Sequence, residues 1–425
     1  MASYPTFLPL ALVAGGGWAL AVVRDRGGLG GGVRREVALL LIAGGAVRAL
    51  LLLPETPLSD DLYRYLWDGH VANHGVNPYA HAPQSPELDA LDTGVRALVN
   101  HPSIPTIYPP VAQWLFRGLD AVGAGPGGVR ALFAALDLAA AAFLALLLGM
   151  RGRNPRVAVV YALCPLAALE SAAGGHVDPA GIALMTAGLT AWAASRIPAA
   201  GLLLGAAVLV KPMPLFLFPA LLIRLCPRDR ARFAFFAALP LLLYLPHLDA
   251  GFGVFGGLEA YAARWSSHGA LFPLGEWAGI PAAPLRVILA TAAVALSGIF
   301  AWRIRDPLAA GACAVGAALV LTPTAHPWYL VWLVPLLPFL PRAVLPAGIA
   351  LIALAPVSYA AGWLFACTGV WAEPVATRWI LWGSVVLALA LGFLRVRKDA
   401  FEAPPPERSP RESSGRRGAF PISFR

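Results

Sequence analysis

Two adjacent carboxylates stand near the start of the first polar stretch, PETPLSDDLYRYLWDGHVANHGVNPY, and carry its clearest chemical signal. Asp61, Arg64 and Tyr65 fall at i, i+3 and i+4, one face of a helix. Ser59 suits the N-cap, which sets Asp60 and Asp61 in a first turn whose dipole favours anions. A capped interfacial helix with ordinary first-turn acids accounts for that spacing. Paired carboxylates are also what a general base for a hydroxyl requires. Four other polar points follow along the chain. They are Glu170, His176 and Asp178 in ESAAGGHVDP; Lys211-Pro212; a loop at about 250–284 with Glu259, Tyr261, Arg264, Trp265, His268 and Glu276; and TPTAHPWY with His326.

The elements that must position these residues are apolar. The chain of 425 residues is 58% hydrophobic and 13% charged, against about 25% charged in soluble domains. Apolar segments recur at roughly 5–23, 37–53, 127–149, 157–173, 179–196, 198–210, 212–225, 233–249, 285–302, 307–323, 327–341, 343–364 and 378–395. Several approach the ~20 residues that span a bilayer. The expected fold class is an all-α polytopic membrane protein with about 11–13 transmembrane helices and a large first external loop. Residues 1–398 form its transmembrane domain and 54–126 its external catalytic loop. Segments 198–210 and 212–225 read as one broken hairpin. The N-terminus lacks a basic n-region, so it reads as a first span rather than a cleaved signal.

The net charge of +9 could suggest nucleic acid, but the Arg residues fall in short runs between apolar segments, the pattern of cytoplasmic loops. Arg24, Arg26, Arg34, Arg35, Arg151, Arg153, Arg156, Arg196, Arg224, Arg228, Arg230, Arg232, Arg303, Arg305, Arg342, Arg395, Arg397 and Lys398 all fall on one side. That side is expected to be cytoplasmic, with the C-terminus, in the inner (plasma) membrane. All 8 His residues fall on or near the other, outward side. Residues 399–425, rich in Pro, Ser, Arg and Gly, read as a disordered cytoplasmic tail. The 4 Cys lie far apart without metal spacing and read as small core residues. Arg48 and Asp137 lie inside apolar segments, where they are functional or pair with each other.

SDDLYRYLWDG-H-VANHGVNPY resembles the first external loop of bacterial GT-C glycosyltransferases, especially polyprenyl-phosphomannose-dependent mannosyltransferases of the glycosyltransferase family 87 type. IYPPVAQ at 107–113, CPLAALESAAGGHVD at 164–178, KPMPLFLFP at 211–219 and HPWYLVWLVPLLP at 326–338 agree in order. The resemblance covers roughly residues 37–395. It implies a helical bundle whose first external loop holds the catalytic acid. It also implies an inverting transfer of a hexose, mannose first, from a polyprenyl-phosphate donor to an envelope glycan or glycolipid. By position the catalytic acid is Asp61 or Asp60, with Asp61 preferred. The implied substrate-binding residues are Arg64, Tyr65, Glu170, His176, Asp178, Lys211, Arg264 and His326, with Lys211 foremost for the leaving phosphate and Arg378 a lesser candidate. With a monophosphate leaving group no cofactor is required, a divalent metal being optional. No DxD nucleotide-sugar signature or soluble domain after the last span is evident.

A multi-pass transporter or lipid flippase is the main alternative. The sequence shows no internal repeat and few interior charges, and an acid-rich external loop is costly to explain there. An accessory envelope subunit is a third reading.

Overall fold

The computed structural model describes residues 4–24 and 33–402. Among these the protein is all helical, without strands; Ser267 and His268 make isolated bridges to Thr324. Among the described residues five helical stretches are long and apolar enough to cross a membrane: Pro126–Met150, Pro227–Arg264, Ala282–Arg303, Leu345–Thr368 and Val375–Lys398. A sixth forms if Pro155–Ala162 and Pro165–Gly174, bent by 53°, count as one broken span. Phe7–Val22, Ile197–Val208, Met213–Leu222, Pro307–Leu321 and Pro327–Phe339 are shorter apolar helices. Polytopic membrane architecture follows from these elements together.

Proline punctuates the bundle. It occupies the first turn of Pro110–Ala121, Pro126–Met150, Asp178–Ala193, Pro227–Ala238 and Pro307–Leu321, where its missing N–H costs nothing. Pro335 and Pro338 instead fall inside Val331–Phe339, which is wound as a 3₁₀ helix. The break expected near Lys211-Pro212 is present, between Ile197–Val208 and Met213–Leu217.

Two expectations need correction. The loop placed at 250–284 starts later, because helical structure continues from Pro227 to Arg264 and only Gly251 leaves helical φ/ψ. The run after Asp249, AGFGVFGGL, holds no charge and no proline, so nothing but that glycine interrupts it. The last helix, Ser384–Glu402, runs past the expected tail boundary at 399. The rest of the tail, like Arg26, lies outside the described residues.

Pro126–Met150 packs on Asp178–Ala193, which packs on Ile197–Val208, which packs on Pro227–Ala238. Small residues set the last spacing. A Cβ at Gly201 would stand 2.5 Å from the Phe233 carbonyl oxygen, and one at Gly205 2.1 Å from that of Ala237. The two helices touch backbone to backbone through a small-xxx-small face. The large apolar core lies around these helices, Pro307–Leu321 and Val331–Phe339. A second cluster, with Tyr65, Tyr108, Phe116 and Phe133, lies under the first loop.

The Arg-rich loops meet at one end. Arg151 pairs with Asp306 at 3.4 Å, Arg156 with Glu36, and Arg224 donates to the Ile304 carbonyl at 2.9 Å. Segments that the charge pattern puts on one side are thus cross-linked with one another.

Candidate active site

The first loop delivers its acids at the start of the Asp61–Asn73 helix. The Ser59 hydroxyl accepts the Asp61 N–H at 3.2 Å, though the helix itself starts one residue later than the expected cap implies, with Asp60 at the N-cap. Asn100 donates to both carboxylates, 2.9 Å to Asp60 and 2.7 Å to Asp61. Asp60 is exposed, yet crowding by protein and then the Asp61 charge raise its pKa above the usual carboxylate value. Below the acids, Tyr65 stacks on Phe116 at 4.5 Å and meets Tyr108 edge-on. Arg64 bonds Asp68 at 2.9 Å and the Ile104 carbonyl at 2.7 Å. Both residues are buried, so they brace the helix from within.

A second segment comes to meet this helix. Leu169–Gly174 is wound as a π-helix, a form common at functional sites, and Gly175 ends it at φ 73°. The Leu58 N–H donates to the Ala173 carbonyl at 2.8 Å, locking loop to turn. Arg130 strengthens the lock by donating to the carbonyls of Ala172 (2.7 Å), Pro54 (2.6 Å) and Leu51 (2.6 Å). A Cβ on Gly174 would stand 2.8 Å from His176 Nδ1, so glycine is what lets that ring fold back.

His176 joins the two segments. Its Nε2 lies 3.6 Å from Asp61 Oδ2, and its Nδ1 2.7 Å from Glu170 Oε2. The second contact is short but poorly aligned, so it is a charge contact rather than a hydrogen bond, and neither ring nitrogen has an aligned partner among the described residues. Burial acts to lower the His176 pKa, but the Glu170 carboxylate and then Asp61 outweigh it, and the net shift is upward. Tyr359 donates to the other Glu170 oxygen. The imidazole stacks on Trp328 at 4.2 Å, and His326 stacks on Trp328 at 4.3 Å. Burial, then the charges of His268, Lys211 and His176, hold His326 well below the usual histidine value.

Lys211 and Asp178 form the floor beside this stack. The Lys211 ammonium donates to both Asp178 oxygens, at 2.8 and 2.7 Å, and lies 4.5 Å from the Tyr329 ring centre. Asp178 is fully buried and also accepts the Trp332 indole N–H at 2.6 Å. Tyr329 and Tyr261 share a 2.6 Å hydroxyl contact.

The structure therefore brings together Asp60, Asp61, Glu170, His176, Asp178, Lys211 and His326. Arg64 and Tyr65 sit beneath them. Arg264 is exposed at the end of the Gly256–Arg264 helix and makes no hydrogen bond or ion pair with the cluster among the described residues. Asn100, Arg130 and Tyr359 were not legible as partners. Asn100 lies in an irregular stretch, Arg130 opens an apolar helix, and Tyr359 is one polar ring in an apolar run. Only the habit of buried polar groups to find partners points to the last two. No group of three or more His, Cys, Asp or Glu poised to hold a metal is found among the described residues.

A helical membrane bundle with a carboxylate–imidazole–carboxylate array at one end has the parts of an acid–base transferase. Residues 29–226 match the family model described as alpha-(1->6)-mannopyranosyltransferase, N-terminal domain. That range contains the paired Asp residues, the π-turn and Lys211. This part of the chain is thus similar to a mannosyltransferase-family domain, in line with the sequence resemblance, and the match supports a mannosyl-transferring enzyme. A comparison with curated proteins finds no match.

Proposed function

We propose that the protein is an inverting mannosyltransferase that takes mannose from a polyprenyl-phosphate donor, with Asp61 as general base. The observation that carries this reading is the 3.6 Å approach of His176 to Asp61, which makes one site of two segments far apart in sequence. Asp61 takes the proton of the acceptor hydroxyl. The freed oxygen forms a bond to C1 of the donor sugar, and the C1–O bond to phosphate breaks with its electron pair leaving on the lipid monophosphate. Inversion gives an α-linked product from a β-linked donor. The family's name makes the attacking hydroxyl O6 of a mannoside.

Other residues have supporting roles in this reading. His176, held by Glu170, positions the Asp61 carboxylate. Lys211 spends two of its three N–H groups on Asp178, and the third serves the leaving phosphate. Neutral His326 offers a ring N–H on the same side. The Arg-rich end faces the cytoplasm, and the site opens to the outer face. The acceptor is an envelope glycan or glycolipid.

Purified protein with radiolabelled polyprenyl-phosphomannose and a mannoside acceptor should give an α-1,6-linked product. Asp61→Asn should abolish it while the protein inserts normally. Full product from Asp61→Asn and Asp60→Asn variants would sink the reading and return the transporter or flippase alternative.

A further inference from the structure

Behind His326 the chain builds a second polar recess. Ser267 and His268 pair with the strip leading to His326: the Ser267 N–H donates to the Pro323 carbonyl at 3.1 Å, and the Ala325 N–H to that of Ser267 at 2.7 Å. Two residues earlier, Trp265 meets His101 edge-on at 4.8 Å, and His101 adjoins the Asn100 that holds both catalytic-loop acids. The strip from Trp265 to His268 is therefore a shared wall, with the first loop on one side and a cleft of about 260 Å³ on the other.

The cleft is lined by His268, Glu276, Trp371, Glu373 and Arg378 among others. His268 is 2% exposed and is held at φ 53°, a conformation costly for a residue with a side chain. Its ring is fixed by Ser267 at Nδ1 (2.8 Å), its N–H by Glu373 (2.9 Å), and its carbonyl by the Trp382 indole (2.7 Å). Its Nε2 has no hydrogen-bond partner among the described residues, although this ring lines the cleft. A strained, triply anchored imidazole in the wall of a recess, with one buried nitrogen left without a partner among the described residues, is a built ligand contact.

Charge and size select the ligand. Glu276 and Glu373 outnumber Arg378, which is already paired with Glu373 at 3.0 Å, so the recess repels phosphate. Burial holds His268 below the usual histidine value, which leaves an unprotonated nitrogen to accept from a hydroxyl. The volume falls below the ~300–1,000 Å³ of drug-sized sites, which suits one sugar ring and not a polyprenyl chain. Trp371, half exposed, offers an indole face for the apolar side of such a ring. Carboxylates, a neutral imidazole and an aromatic platform together match a neutral, hydroxyl-rich ligand.

We propose that this cleft is the acceptor subsite, which grips a neutral mannoside through Glu373, His268 and Trp371 so that its chain extends over Trp265 toward Asp61. The inference rests on the transferase reading for the identity of the sugar as acceptor. Binding of α-1,6-mannobiose to the purified protein in detergent, read by saturation-transfer NMR, tests it without turnover. The exposed positions give the clean variants, Trp371→Ala and Glu276→Gln. Glu373→Gln probes deeper, with its elution profile as the check on folding.

Mannobiose should bind the parent and Asp61→Asn alike, and about tenfold more weakly to Trp371→Ala and Glu373→Gln. Their KM for acceptor should rise by a similar factor with the donor KM unchanged. Parental mannobiose affinity in all three cleft variants, alongside an inactive Asp61→Asn, overturns the subsite and leaves the transferase reading standing. Displacement of mannobiose by inorganic phosphate also overturns it. If Asp61→Asn transfers normally, the transferase reading fails, and weakened mannobiose binding by Trp371→Ala still supports a glycan site.

Discussion

Two clusters of buried charge share one stretch of chain and are finished in opposite ways. Arg48 bonds Asp137 at 2.7 Å and the carbonyls of Gly44 (3.0 Å) and Ala162 (2.8 Å); Asp137 also accepts from Tyr161 (2.5 Å) and Ser171 (3.2 Å). Every group there has a partner, as a buried ion pair needs if its desolvation is to be offset. Glu170, next to Ser171, turns the other way toward His176, which it meets at 2.7 Å in poor alignment while the ring's far side stands 3.6 Å from Asp61, and both ring nitrogens are left unsatisfied among the described residues. A closed network holds a fold. An open one keeps its hydrogen-bonding capacity for something that arrives, and such contacts commonly tighten only when substrate is bound.

The sharpest way to break the comparison is Asp61→Asn. A lost general base should lower kcat by ~10²–10⁴-fold with thermal stability nearly unchanged, as radiolabel transfer and detergent-phase melting would report. Asp137→Ala should do the reverse. It strands Arg48 inside the bundle at a cost of about 3–5 kcal/mol, while the Arg48→Met, Asp137→Leu pair should recover most of that stability in the same melting assay. Lys211→Ala tests the border between the two classes. It leaves Asp178 buried and uncompensated, so melting should drop by about 2–4 kcal/mol, and Asp178→Asn in the same chain should restore the fold without restoring donor use. A double variant that transfers normally would remove Lys211 from the phosphate.

Smaller effects refine the picture. His176→Asn should lower kcat by about 10–100-fold and move melting little, since its ring closes no hydrogen-bond network. The smallest effect concerns acid. With the folded pKa of His268 lowered by burial, the unfolded chain binds the extra proton first as pH falls below about 6.5. Stability is therefore full above that value and is lost on acidification, about 1–3 °C in Tm between pH 7 and 5.5. His268→Asn should flatten the slope; Glu373, Arg378 and His326 surround the ring and remain in place.

Much of this arrangement was legible along the chain. Apolar runs gave the helices to within a few residues at Pro126–Met150, Ala282–Arg303 and Pro307–Leu321. The mutual pairing of Arg48 and Asp137 follows from the cost of leaving either alone in an apolar layer. Asp60, Asp61, Glu170, His176, Asp178, Lys211 and His326 stood out as polar residues at segment ends. What could not be read was who meets whom. The π-winding of Leu169–Gly174 depends on packing rather than propensity, and Asn100 joins the acids through an irregular stretch with no period. Tyr65 and Arg64 shared a helical face with Asp61, but burial turns that face into support for the helix. Glu373 stands in a turn before the last long helix with no local signal, because its partner His268 lies 105 positions away.

The hydrogen bond from Leu58 to Ala173 also sets an order of events during synthesis. The stretch bearing Asp60 and Asp61 leaves the ribosome long before the residue that fastens it. Until the segment up to Ala173 has been made and inserted, the Leu58 N–H lacks its carbonyl partner and Arg130 has only Leu51 and Pro54 to hold, so the acids are not yet fastened to the π-turn. The protein is thus chemically incompetent through the first part of its own biogenesis, and its working geometry waits further for Lys211, His326 and Tyr359, which are made later still. A translation arrest placed before residue 173 would yield a chain already threaded through the bilayer but unable to react.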